Sequence, residues 1–122
     1  MLLCNRKILT SRRNLFQNRI MIKHVVLFKL KEYPTNQEKL AAIDMLKLEL
    51  EALEVKIPFI RHTEVGINYT LQAESYDICL IMHFDTIEDV QAYTIHPEHQ
   101  KVVTLIRQHR TDKAAVDFEF NV

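Results

Sequence analysis

Residues Ile22 to Lys31 carry a strand pattern that cannot leave either face to water. Ile22, His24, Val26, Phe28 and Leu30 fall on one side, and Lys23, Val25, Leu27 and Lys29 on the other. Apolar and β-branched side chains sit on both sides of its centre, so the sheet that holds this strand needs a cover on each face. The rest of the chain supplies one cover. After the break Tyr33-Pro34-Thr35-Asn36, residues Leu40, Ile43, Leu46, Leu50 and Leu53 recur at three- and four-residue spacing and predict an amphipathic helix over about Gln37–Leu53. Phe59–Ile67 reads as a second strand, punctuated by Gly66. The polar stretch Asn68–Ser75 reads as a loop, and Tyr76–Phe84 as the third strand. Thr86 and Asp89 have the hydroxyl-then-carboxylate spacing of a helix start, and a short helix is expected to Tyr93. Pro97 suits the first position of another helix, expected to run to about His109. Ala114–Phe120 alternates again and predicts the fourth strand, with Val116, Phe118 and Phe120 facing opposite to Asp117 and Glu119.

The order strand, helix, strand, strand, helix, strand predicts a ferredoxin-like α+β domain. Its four-stranded antiparallel sheet carries helices on one face. The other face keeps apolar side chains, and the simplest cover is a second copy of the same chain. A two-fold homodimer with facing sheets is therefore expected, a dimeric α+β barrel. Met45, Met82, Phe28, Phe84, Phe118 and Phe120 are expected in the core.

Composition narrows the function classes. The chain has 122 residues, enough for one domain with a real core, and its 48% apolar and 26% charged residues are an ordered balance. A single Gly rules out a glycine-rich phosphate loop. Cys4 and Cys79 make neither a disulfide framework nor a CxxC metal spacing. No apolar run approaches the roughly 20 residues of a membrane helix.

A net charge of zero hides an asymmetry. Arg6, Lys7, Arg12, Arg13 and Arg19 stand in residues 1–20 with no acid, whereas residues 21–122 carry a net charge of −5. The basic leader, expected to be disordered, reads as a transit peptide, a basic arm, or a segment translated from upstream of a start at Met21. The position of Met21, directly before the first strand, favours the last. A cytoplasmic protein follows from a spurious leader, an organellar one from a transit peptide. The acidic balance of residues 21–122 argues against general nucleic-acid binding.

Three segments in this order carry a resemblance: Ile22-Lys23-His24-Val25-Val26-Leu27-Phe28-Lys29, Tyr76-Asp77-Ile78-Cys79-Leu80, and Tyr93-Thr94-Ile95-His96-Pro97-Glu98-His99-Gln100. Together they resemble the stress-responsive α/β-barrel (Dabb) family of the dimeric α+β-barrel superfamily, over about residues 21–120. The Tyr-x-x-His-Pro-x-His stretch is the most specific part. The resemblance implies the dimeric ferredoxin-like fold already reached from periodicity. A plant polyketide cyclase of the family works by aldol condensation. By that likeness the base would be His99, the orienting hydroxyl Tyr93, and His24 would share their pocket.

The chemistry fits these residue types. Proton removal beside a carbonyl needs a base that is neutral near pH 7, which histidine supplies. A tyrosine hydroxyl can donate to the developing enolate oxygen. The structural alternative is that Tyr93 packs its ring, His99 sits in a helical turn, and His24 is a satisfied core histidine. His96 before Pro97 reads as the junction of two helices, and a His96–His99 metal pair is disfavoured by its spacing. Asp77 is expected to order a loop or pair with a base, Cys79 to lie in the third strand, and His83 to face the dimer or solvent. No cofactor or metal is implied. A cofactor-free cyclase or lyase on a small carbonyl compound therefore stands beside a non-catalytic ligand-binding or stress-associated dimer. A cofactor-independent monooxygenase-like or haem-degrading protein is a third alternative, and the absence of Trp counts against its haem-degrading form.

Overall fold

A computed structural model describes residues 19–70 and 74–122, so most of the basic leader and part of the 68–75 loop lie outside the described residues. Strand β1 spans Ile20–Leu30 and helix α1 Asn36–Lys56. Strands β2 (His62–Ile67) and β3 (Ile78–Phe84) follow, then helices α2 (Ile87–Thr94) and α3 (Pro97–Arg107), and strand β4 (Arg110–Asn121). The strands lie in the order β2-β3-β1-β4, and every neighbouring pair is antiparallel. This is the ferredoxin-like α+β arrangement. Among the described residues, no helix is long and apolar enough to cross a membrane.

Local chemistry sets the helix starts. The Thr35 hydroxyl accepts from the Glu38 N–H while the Glu38 carboxylate accepts from the Thr35 N–H, a reciprocal cap that opens α1. Thr86 caps α2 by accepting from the Asp89 N–H. His96 caps α3, its Nδ1 accepting from the Glu98 N–H at 3.1 Å, and Pro97 follows inside the helix. His96 is thus the helix junction expected from the sequence.

Register decides which side chains share a face. His24 pairs with Met82 and Asp117, and Val26 with Leu80 and Ala115, so these residues point toward the helices. The core lies there, with Ile43, Leu46, Leu50 and Leu53 of α1 packed over Val26, Phe28, Leu80 and Phe84. Leu40, expected in that stripe, is 48% exposed. Lys39 reaches inward from the first turn instead, pairing with Asp77 at 3.0 Å, and its neighbour turns outward.

Val25, Leu27, Cys79, Ile81, Val116 and Phe118 share the opposite face by the same register, and none of them is fully buried. Phe118, expected in the core, is 44% exposed because no helix covers that face. Phe120 is half-buried against the His83 ring, with the Lys23 ammonium 4.5 Å from its centroid. Strand starts also differ from the periodicity, β1 beginning two residues earlier and β3 two residues later than expected. Phe59 and Ile60 lie in a turn before β2 closed by Ile60 N–H to Ile57 C=O, and β4 starts four residues earlier than the alternation suggested.

Candidate functional site

Tyr93 is the penultimate residue of α2, and His99 lies in the first turn of α3. The turn at Ile95-His96 folds α3 back on α2, bringing the two rings to 4.2 Å between centroids. His24 comes up from the centre of β1, its ring 5.8 Å from that of Tyr93 in an edge-on arrangement. The three residues singled out from the sequence therefore meet, and all three line one cavity of about 130 Å³ between the sheet and α3. Val26, Phe28, Leu50, Leu80, Val102 and Ile106 make its apolar walls.

His99 is held in one tautomer. Its Nδ1–H donates to the Thr94 carbonyl at 2.9 Å, and a carbonyl can only accept. Nε2 is left with its lone pair. The Gln100 amide donates to the same carbonyl, which is the C-terminal carbonyl of α2. Burial lowers the His99 pKa below 6.5, partly opposed by the Thr94 hydrogen bond. The charges of His24, Lys113 and His96 lower it further. A histidine so placed is neutral at pH 7 and able to take a proton.

Tyr93 is 1% exposed. Burial raises its phenol well above the ordinary value, so it stays protonated and able to donate across the physiological range. His24 Nδ1–H donates to Asp117 Oδ1 at 2.5 Å, which orients the imidazole. Sequence reasoning missed Asp117: with Phe118 and Phe120 expected in the core, the opposite face of β4 was expected outside, whereas it is Asp117 that faces the helices. Its partnership depends on the β1–β4 register, in which His24 and Asp117 stand directly opposite.

Other candidates lie elsewhere. Asp77 is 1% exposed and accepts the Leu30 N–H at 2.7 Å while pairing with Lys39, a structural tie between β3, β1 and α1. Cys79 sits on the open sheet face, where burial raises its thiol pKa. His83 lies on that face too, its ring packed between those of His62 and Phe120 in tilted arrangements. Burial and then the charges of His62 and Lys23 lower its pKa, against a small raising effect of Glu64. Among the described residues, no group of three His, Cys, Asp or Glu side chains is placed to hold a metal ion.

Comparison with known proteins gives this geometry a family. A curated relative, the stress-response A/B barrel domain-containing protein DABB1 of Arabidopsis thaliana, is 31% identical over 101 residues. The match covers 80% of this chain and 46% of that protein, so the chain spans about half the length of that relative. A dimeric protein of unknown function with a ferredoxin-like fold from Bacteroides fragilis is 40% identical, with a TM-score of 0.74 over 82% of this chain and 96% of the other. A hydroxynitrile lyase from Passiflora edulis shares the fold at 12% identity, with a TM-score of 0.69 over 83% of this chain and 94% of the lyase. The profile of the stress responsive A/B barrel domain matches residues 22–120, nearly the whole folded part, and the chain belongs to that family.

Proposed function

We propose that this chain is a cofactor-free enzyme of the cyclase or lyase type. It would remove a proton from the carbon beside a carbonyl of a small compound. The observation that carries this reading is the tautomer-fixed, neutral His99 against the buried Tyr93 in a cavity with apolar inner walls. His99 Nε2 takes the proton, and the C–H electron pair moves onto the carbonyl oxygen. The Tyr93 hydroxyl donates to that enolate oxygen. In an aldol closure the enolate carbon then attacks a second carbonyl, and the imidazolium of His99 returns the proton to the new alkoxide. His24, its ring oriented by Asp117, bounds the site from the sheet side and helps to position the substrate. The apolar walls keep water from quenching the enolate. That a lyase is built on the same fold supports the class of chemistry, by analogy of fold alone.

The working unit in this reading is a homodimer. The open face with Val25, Leu27, Ile81, Val116 and Phe118 needs a cover, and the relative from Bacteroides fragilis is dimeric.

The first test is deuterium exchange into pentan-2-one in D2O, followed by NMR. The full chain is expected to accelerate exchange at the carbons beside the carbonyl. His99→Ala and Tyr93→Phe should each lower the rate by about a hundredfold while the thermal midpoint stays near wild type. Exchange no faster than in buffer would remove the catalytic reading and leave a ligand-binding dimer.

A further inference from the structure

The mouth of the cavity has a chemistry that its interior does not. Arg107 closes α3, and Arg110 and Lys113 stand in the first half of β4. Register sets Arg110 opposite Leu30 and Lys113 opposite Phe28, both partners being on the helix-facing side of β1. All three basic residues line the same opening as His99. Among the described residues, none of the three side chains is in an ion pair, and no Asp or Glu lines the cavity. Elsewhere Lys39, Lys56, Arg61 and Lys101 all face carboxylates. Residues 21–122 carry more acids than bases, so three unanswered cations at one opening run against the balance of the domain. Like charges brought together without a counter-ion repel one another, and an anion seated among them relieves that cost.

From this we infer that the site takes a small oxo-carboxylic acid, with its carboxylate held at the mouth by Arg107, Arg110 and Lys113 and its carbonyl presented to His99 and Tyr93. The inference rests on the reading of His99 and Tyr93 as the reacting pair. The cavity volume suits a body about the size of a six-membered ring, since an apolar cavity of about 150 Å³ holds benzene. The walls accept the carbon skeleton, and the guanidinium forks and the ammonium suit a planar carboxylate. The reacting carbon then lies at a fixed distance from the anchored end, which selects which C–H faces His99.

The test compares 4-oxopentanoate with its neutral counterpart 4-oxopentanamide, titrated into the full chain at low salt and followed by calorimetry. The acid is expected to bind at least about tenfold more tightly than the amide. That advantage should shrink at high salt. In the Arg110→Gln/Lys113→Met double variant the advantage should disappear while amide affinity stays where it was. Equal binding of acid and amide, binding of neither, or a preference that survives in the double variant overturns the inference. His99→Ala separates the two readings, because it should lower exchange by about a hundredfold yet keep the preference for the acid. Catalysed exchange in pentan-2-one without any preference for the acid leaves the catalytic pair standing and removes the anion site.

Discussion

The His99 ring is controlled by one carbonyl oxygen. Thr94 C=O takes the Nδ1 proton, and the buried surroundings disfavour a second proton on Nε2. The acid limb of the reaction follows from this. A base must be neutral to act, and the His99 pKa lies below 6.5, so activity should hold at pH 7 and fall only in more acidic solution. The rate of pentan-2-one exchange against pH should reach half its plateau below about 6.5, the ordinary histidine value. A limb centred above that value would mean that another group is the base. Stability carries the same sign. The unfolded chain binds a proton at His99 more readily than the native one, so stability is lost as pH falls from about 6.5 toward the lowered native value. His24, Tyr93 and His99 were legible as residues because strand alternation and the motif pointed at them. Asp117 was not, since nothing in its spacing relates it to His24, 93 positions earlier, and the basic trio was not, since its meeting at one opening depends on how β4 pairs with β1 after α3 ends.

At the scale of elements, Asp77 is the joint of the fold. It sits just before β3, accepts the Leu30 N–H at the end of β1, and holds Lys39 of α1. Its own N–H donates to the Phe28 carbonyl. Asp77→Ala leaves a buried N–H without its acceptor and should cost about 2 kcal/mol of unfolding free energy. Urea unfolding at a fixed protein concentration measures this, and a change within error would mean that water replaces the carboxylate without loss. The joint lies away from the cavity, so preference for the oxo-acid should persist in this variant. Element types were legible because apolar spacing and caps are local signals. Element ends were less so. Arg110-Thr111-Asp112-Lys113 has no alternation, yet it is paired with the end of β1 because the backbone hydrogen bonds of β1 need partners whatever side chains the neighbour carries.

The whole molecule is divided by its sheet into a helix side and an open side. The helix side holds the core and the cavity, and the open side holds a half-buried apolar row with Phe118 at 44% exposure. A second copy covering that row would bury Phe118. Phe118→Asp should then convert a particle of twice 14.5 kDa into the single chain, as read by light scattering. An unchanged mass would place the interface elsewhere, and a wild-type chain that is already single would leave the apolar row to another partner.

The sequence by itself determined the order of the elements, the two faces of β1, and the need for a cover on both faces of the sheet. These are properties of short windows, in which the periods of two and 3.6 residues divide buried from exposed side chains. Only the tertiary structure decided that Asp117 stands beside His24, that the Tyr93 and His99 rings meet across the turn between α2 and α3, and that three cations meet at one opening. Each of these depends on register or on the angle between helices. A slip of one residue in β4 would turn Asp117 and Lys113 to the other face, because successive side chains of a strand point to opposite sides.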